Sequence, residues 1–221
     1  MVVMKTDTSA SRADALAARL EAIAAKPGAG LSGLAFVAIE DGKPTFEHYS
    51  GRRRIVTGNS ALDLPVTADT RFRVASISKP FVAVGCMRLV EQGLLDLDAD
   101  VSEYLGWQLR NPAFPDDPIT PAMLLSPVSS RRHGESYSLP LTRSLREFFT
   151  PGNDAWENGP HFAGSLAGPS GAPDPKLAPG MYYTYCNLGF GVMGTVIERV
   201  SGMRFDLYMR ERVLQPLGVG G

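Results

Sequence analysis

A serine and a lysine three residues apart, Ser76 and Lys79, stand at the start of a densely apolar stretch. Arg71–Ala75 reads as extended, and a helix follows through Phe81, Val82, Val84, Met87, Leu89 and Val90, with Gly93 as its C-cap. Residues i and i+3 share a helix face, so the hydroxyl and the amine can meet. The first turn of a helix also leaves backbone N–H groups without intrahelical acceptors and carries the positive end of the dipole. A serine that attacks a carbonyl and holds the resulting oxyanion fits there. The same spacing also fits an N-cap serine followed by a solvated lysine. The helix behind the motif favours chemistry, because it is apolar almost all round, as expected of a buried central helix.

A second constellation, Tyr185-Cys186-Asn187, sits where another extended segment enters a helix. In an extended segment residues i and i+2 point the same way, so Tyr185 and Asn187 can face one site. A phenol is a poor base unless a neighbouring cation lowers its pKa, and Lys79 can supply that cation. Taken singly, Tyr185 also fits a core position with a satisfied hydroxyl, and Asn187 a helix cap.

The elements that must position these groups follow from periodicity and breakers. Ser9 or Ser11 caps a first helix to about Ala25, with Leu16, Leu20 and Ile23 on one face. A strand at Gly33–Glu40, the turn Asp41-Gly42 and a return strand at about Lys43–Tyr49 make an antiparallel hairpin. Gly51 to Asp69 reads as irregular. Beyond the Ser76 helix come short helices near Val101–Leu105, from Thr120-Pro121 (N-cap and N1) through Leu125, and at Ser144–Phe149. Pro127 to Gly180 is otherwise rich in Gly, Pro, Ser and Asp, and a long loop of this kind usually carries function. A helix from Leu188 to Val200 packs closely through Gly189, Gly191 and Gly194, and a last helix spans about Phe205–Leu214.

Composition removes other classes of function. With 221 residues, 44% apolar and 20% charged, the chain can fold as a single domain with a real core or as two small lobes, and a single domain is expected. A net charge of −1 gives no electrostatic case for nucleic acid or an anionic membrane, and Arg52-Arg53-Arg54 reads as a solvated strand end. No stretch is apolar enough to span a bilayer. The N-terminal stretch lacks the pattern of a secretion signal, so a cytoplasmic location is expected. His48, His133 and His161 are scattered and Cys86 and Cys186 lack metal-ligand spacing, so no metal and no cofactor is expected, and both thiols read as free and buried.

Three stretches together, FRVASISKPFVAVGCMRLVEQGLLDLDADVSEYL, ITPAMLLS and APGMYYTYCNLGFGVMGTVIERVSG, resemble the serine β-lactamase-like family of class C β-lactamases, D-Ala-D-Ala peptidases and related esterases. The resemblance runs from about Leu31 to the C-terminus. It implies an α+β fold in which a helical region packs on an antiparallel sheet. It also implies that Ser76 is the nucleophile of an acyl-enzyme, that Lys79 and Tyr185 together move its proton, and that Asn187 binds substrate or orients Lys79. Three departures accompany it. Nothing after Asn187 matches the family's third motif, K-T-G or H-x-G, so the sheet is expected to be incomplete. The turn usually written HTSG reads Pro127-Val128-Ser129-Ser130, and Cys186 stands where serine or alanine is usual.

The function expected is therefore a serine hydrolase working on an ester, amide or β-lactam carbonyl, with an esterase or amidase favoured. The alternative is a truncated or catalytically silent homologue that serves as a binding module. An unpaired sheet edge would make the chain prone to self-association and less stable than a complete relative.

Overall fold

The computed structural model describes residues 8–131, 144–149, 162–163 and 174–219. Backbone packing divides the chain into two compact units, 1–73 and 74–221.

The first unit is a helix and a small sheet. Helix α1 spans Thr8–Ala24, so Ser9 and Ser11 lie inside it rather than ahead of it. Leu20 is buried, but Ile23 is 56% exposed and does not complete the expected apolar face. Strands β1 (Gly33–Glu40), β2 (Lys43–Arg54) and β3 (Leu64–Pro65) pair antiparallel in the order β1-β2-β3. The hairpin turn is the expected one, with φ of 50° at Asp41 and 74° at Gly42. Both values are positive, as a type I′ turn requires. Strand β2 runs past its expected end at Tyr49 and takes in the three arginines. Gly51 permits this: its φ is 75°, and a Cβ there would lie 2.4 Å from the Ser32 carbonyl oxygen. Arg52 then pairs with Asp63 at 3.3 Å, and Asp63 also accepts from the Val56 N–H at 2.7 Å. These contacts order part of the stretch that reads as irregular. Phe36 meets Phe46 edge-on, Phe46 stacks on His48, and His48 stands 3.1 Å from Glu21 of α1.

Strand β1 has no second neighbour among the described residues, and Val37 and Ile39 on it are 44% and 68% exposed. An open edge with apolar side chains is a template for pairing with another chain. Self-association that grows with concentration is expected in analytical ultracentrifugation, and Val37→Lys should weaken it. Equal association of the two proteins would rule out pairing through this edge.

The second unit is helical. A 3-10 turn at Ala75–Ile77 leads into α2 (Ser78–Glu91), followed by α3 (Val101–Leu105), α4 (Pro121–Leu125) and α5 (Leu145–Phe148). Then come α6 (Asn187–Ser201) and α7 (Phe205–Tyr208), the latter continuing as π-type turns over Met209–Leu214 and a 3-10 turn at Gln215–Leu217. The short helices are capped as their sequences dictate. The Asp100 side chain accepts from Ser102, Thr120 from Met123, and Ser144 with Glu147 forms a capping box. Burial pushes the Asp100 carboxyl up, but the Arg110 guanidinium and the Ser102 donors outweigh it and hold the group below its ordinary value.

Helix α6 is the centre of this unit. It touches α2, α3, α4 and α7 and buries Leu188, Gly189, Val192, Met193, Val196 and Ile197. Gly189 lets α4 approach, since a Cβ would lie 3.4 Å from the Leu124 carbonyl oxygen. Gly194 faces Phe205, but Gly191 faces open space and is not a packing glycine. Helix α2 differs from expectation more sharply. Only Gly85, Cys86 and Leu89 are buried, while Val84 and Met87 are 43% and 44% exposed. Its apolar surface is wider than α6 and the 209–214 turns cover. Cys86 and Cys186 are both buried free thiols, and burial pushes the Cys86 thiol up to about 12. No described helix is long and apolar enough to cross a membrane.

The segment after α4 is where the sequence departs from the family pattern, and it is ordered. Pro127 and Val128 accept from Thr184 and Gly180 at 3.0 and 2.8 Å. Ser130 takes a left-handed φ of 56°, which favours glycine. Its buried hydroxyl accepts from Asn111 at 2.8 Å and donates to the Leu177 carbonyl, and these bonds offset the strain. Arg131 beside it is fully buried. Its guanidinium lies 4.2 Å from the Phe149 ring and 5.7 Å from Phe162, and none of its nitrogens has a hydrogen-bond partner among the described residues. Burial pulls its pKa down to about 10.

A buried charge that meets ring faces but no hydrogen-bond partner among the described residues stabilises a fold less than an apolar side chain of similar volume. Arg131→Met should therefore be neutral or stabilising by about 1–2 kcal/mol. Arg131→Ala should cost about 2 kcal/mol or more through the cavity it leaves. Urea unfolding of both variants checks this, and equal losses in the two would contradict it.

Candidate active site

Ser76 stands in the 3-10 turn just ahead of α2, reached through Ala75 with φ of 45°. A left-handed alanine costs about 1–2 kcal/mol. The approach that reads as extended forms no strand, and Val74 at φ −91° and ψ 2° already turns ahead of Ala75. Lys79 lies in the first turn of α2, three residues on from Ser76 and on the same face, and it places Nζ 3.0 Å from Ser76 Oγ. The segment 182–186 arrives from the other side of the sequence without helical or strand pairing, and α6 begins at Asn187. The period-two placement brings both flanking side chains to one site. Tyr185 Oη lies 2.5 Å from Ser76 Oγ, and Lys79 Nζ donates to Asn187 Oδ1 at 2.6 Å. Cys186 between them points into the core.

A lysine ammonium can only donate, so Ser76 Oγ accepts from Lys79. Between Ser76 and Tyr185 either hydroxyl can donate, and once the phenol is ionised Ser76 must be the donor. Hydrogen bonding from Lys79, and then from Ser76, holds the Tyr185 phenol below its ordinary value despite a small opposing effect of burial. The cluster is open to solvent: Tyr185 is 41% exposed and Ser76 is exposed.

All four residues singled out by the sequence meet here. One further contact was not legible from spacing. Phe190 of α6 places its ring centroid 5.4 Å from Lys79 Nζ, and the Tyr185 ring lies 4.7 Å from it. The signal for Phe190 was its position three residues after Asn187, on the same helix face. No group of three or more His, Cys, Asp or Glu side chains among the described residues could hold a metal ion.

The Beta-lactamase family model matches residues 16–220. The chain belongs to the β-lactamase family. A beta-lactamase of Yersinia enterocolitica is 28% identical over 192 residues, covering 85% of this chain and 41% of that protein. Esterase EstB of Burkholderia gladioli is 33% identical over 165 residues, covering 70% of this chain and 38% of its own length. The octameric penicillin-binding protein homologue from Pyrococcus abyssi has the same fold, with a TM-score of 0.67 at 24% identity over 96% of this chain and 43% of that one. The chain thus spans about two fifths of the length of these relatives, and its α+β fold carries three antiparallel strands among the described residues.

If Lys79 tunes the phenol, Lys79→Met should move the Tyr185 titration upward toward the ordinary tyrosine value. Titration of 13Cζ-tyrosine by NMR, with the Tyr185 signal assigned by Tyr185→Phe, measures this. An unmoved midpoint would show that the lysine does not act on the phenol.

Proposed function

We propose that this chain is a serine hydrolase that transfers an acyl group from an ester or amide to Ser76 and then to water. The observation that carries the reading is the pair of contacts at Ser76 Oγ, 2.5 Å to Tyr185 and 3.0 Å to Lys79. A free serine hydroxyl is a weak nucleophile and needs an adjacent base within hydrogen-bond reach. Tyr185, with its pKa lowered by Lys79, takes the Oγ proton as Oγ bonds to the carbonyl carbon. The carbonyl oxygen becomes an oxyanion, for which the Ser76 backbone N–H is the proposed donor, a contribution on the order of 3 kcal/mol. Collapse of this intermediate breaks the bond to the leaving group, which receives the proton from Tyr185. Water then attacks the acyl-enzyme, gives a proton back through Tyr185 and releases the acid and Ser76. Asn187 holds Lys79 in place through Oδ1.

An ester or amide is the proposed substrate class; the relatives include an esterase at 33% identity beside a beta-lactamase at 28%. Exposure of the site limits the rate, since electrostatic stabilisation weakens in water-like surroundings.

A fluorophosphonate and an activated ester such as p-nitrophenyl acetate test the reading. A mass adduct on Ser76 is expected, lost in Ser76→Ala and slowed about 10²–10⁴-fold in Lys79→Ala and Tyr185→Phe. A folded protein of unchanged mass would instead favour a silent binding module.

A further inference from the structure

We propose that Phe190 is a positioning residue whose ring face holds the Lys79 ammonium against Ser76 and Tyr185. The inference deepens the acyl-transfer reading and rests on it for its effect on rate. Lysine is a flexible four-carbon stem ending in a compact charge with three N–H donors. Nζ donates to Ser76 Oγ and to Asn187 Oδ1, and it also hydrogen-bonds the Tyr185 phenol. Two ring faces stand beside it, Tyr185 at 4.7 Å and Phe190 at 5.4 Å. Both lie within the roughly 6 Å over which a ring quadrupole attracts a cation.

The two rings are not equivalent. Tyr185 is itself the proposed base, so the charge it carries changes in the course of the reaction. Phe190 carries no proton and is fixed by the helix that supplies the site. Asn187 and Phe190 are three residues apart in the first turns of α6 and face the same way. One helix end therefore presents an acceptor and a ring to a single ammonium. Phe190 is only partly buried and is not part of the apolar core around α6, although it is a large aromatic on that core's central helix. Core packing therefore does not explain an aromatic at this position, whereas the cation at 5.4 Å does.

The role predicts a change in the phenol rather than in the fold. Without the ring, Lys79 spends less time beside Tyr185, and the phenol loses part of the cationic influence that lowers its pKa. The acid limb of the pH–rate profile then moves to higher pH, because more of Tyr185 is protonated at a given pH. The test compares Phe190→Leu and Phe190→Trp with the unaltered chain. A third variant carries 3,4,5-trifluorophenylalanine at 190, which keeps the shape and weakens the quadrupole.

By 13Cζ-tyrosine NMR, Tyr185 should titrate at higher pH in the leucine and trifluorophenylalanine variants and near the unaltered midpoint in the tryptophan variant. Ester turnover at neutral pH should fall roughly two- to fivefold in the first two. Should the leucine variant fail to fold, the trifluorophenylalanine variant decides the matter. An unmoved Tyr185 midpoint in folded variants overturns the role of Phe190, whatever the activity. A moved midpoint in a chain that shows neither ester turnover nor a Ser76 adduct leaves the positioning role standing and removes the acyl-transfer reading.

Discussion

One ammonium group joins the two halves of the site. Lys79 Nζ reaches Ser76 three residues behind it and Asn187 more than one hundred residues ahead, at 3.0 and 2.6 Å. Nothing else among the hydrogen bonds ties the start of α2 to the start of α6 so directly, apart from the hydroxyl–phenol contact that depends on it. The cation does three things through position alone. It donates to the serine oxygen, which leaves the serine proton free to reach Tyr185. It lowers the cost of charge on the phenol. It fixes the Asn187 carbonyl oxygen at the mouth of α6. Removing it would return the phenol toward its ordinary value and leave the serine without a cationic donor.

That arrangement requires the helices to be rigid, and α6 supplies the rigidity. Its apolar face is the core of the unit, with Val192, Met193, Val196 and Ile197 fully buried. Gly189 brings α4 against its first turn, one residue after Leu188 and two after Asn187. The same few residues thus set the depth of the core and the height of the site above it. Tyr208, at the other end of the helical layer, donates its hydroxyl to the Gly85 carbonyl at 3.0 Å and ties α7 to the middle of α2. The cluster therefore sits on two helices that are cross-braced well away from the reacting atoms, as a preorganised site demands.

The sequence made much of this legible, and the reasons are physical. Motif spacing reports local geometry, so the i, i+3 contact of Ser76 with Lys79 and the i, i+2 pairing of Tyr185 with Asn187 could be read directly. Caps and turns are also local, which is why Asp41-Gly42, Thr120 and Ser144 appear where their chemistry puts them. Burial is a property of partners, and there the reading fell short. Helix α2 looks like a central buried helix because Phe81, Val82, Val84 and Met87 leave few polar faces, yet half of that surface has no cover. Gly191 looks like Gly189 and Gly194 in the sequence, but no neighbour approaches it. The length of β2 was hidden because arginines are poor markers of a strand. Their place in it comes from partners distant in sequence: the pairing of Arg52 and Arg54 with β3, the close approach of Ser32 at Gly51 and the ion pair to Asp63.

The uncovered part of α2 adjoins the nucleophile in the sequence. Val74 and Ile77, on either side of Ser76, are 46% and 66% exposed. They line an apolar groove of about 480 Å³ with Phe81, Phe205, Met209 and Leu214. The groove takes its lining from the sequence neighbours of Ser76, and none of Ser76, Lys79, Tyr185 and Asn187 lines it. The cluster itself is open to water, and a solvated environment weakens the action of the Lys79 charge on Tyr185. A surface that excluded water from the cluster would strengthen that coupling without moving any of its atoms. The hydrogen bonds at 2.5, 2.6 and 3.0 Å hold the four groups together, and the dielectric around them sets how strongly the lysine acts on the phenol.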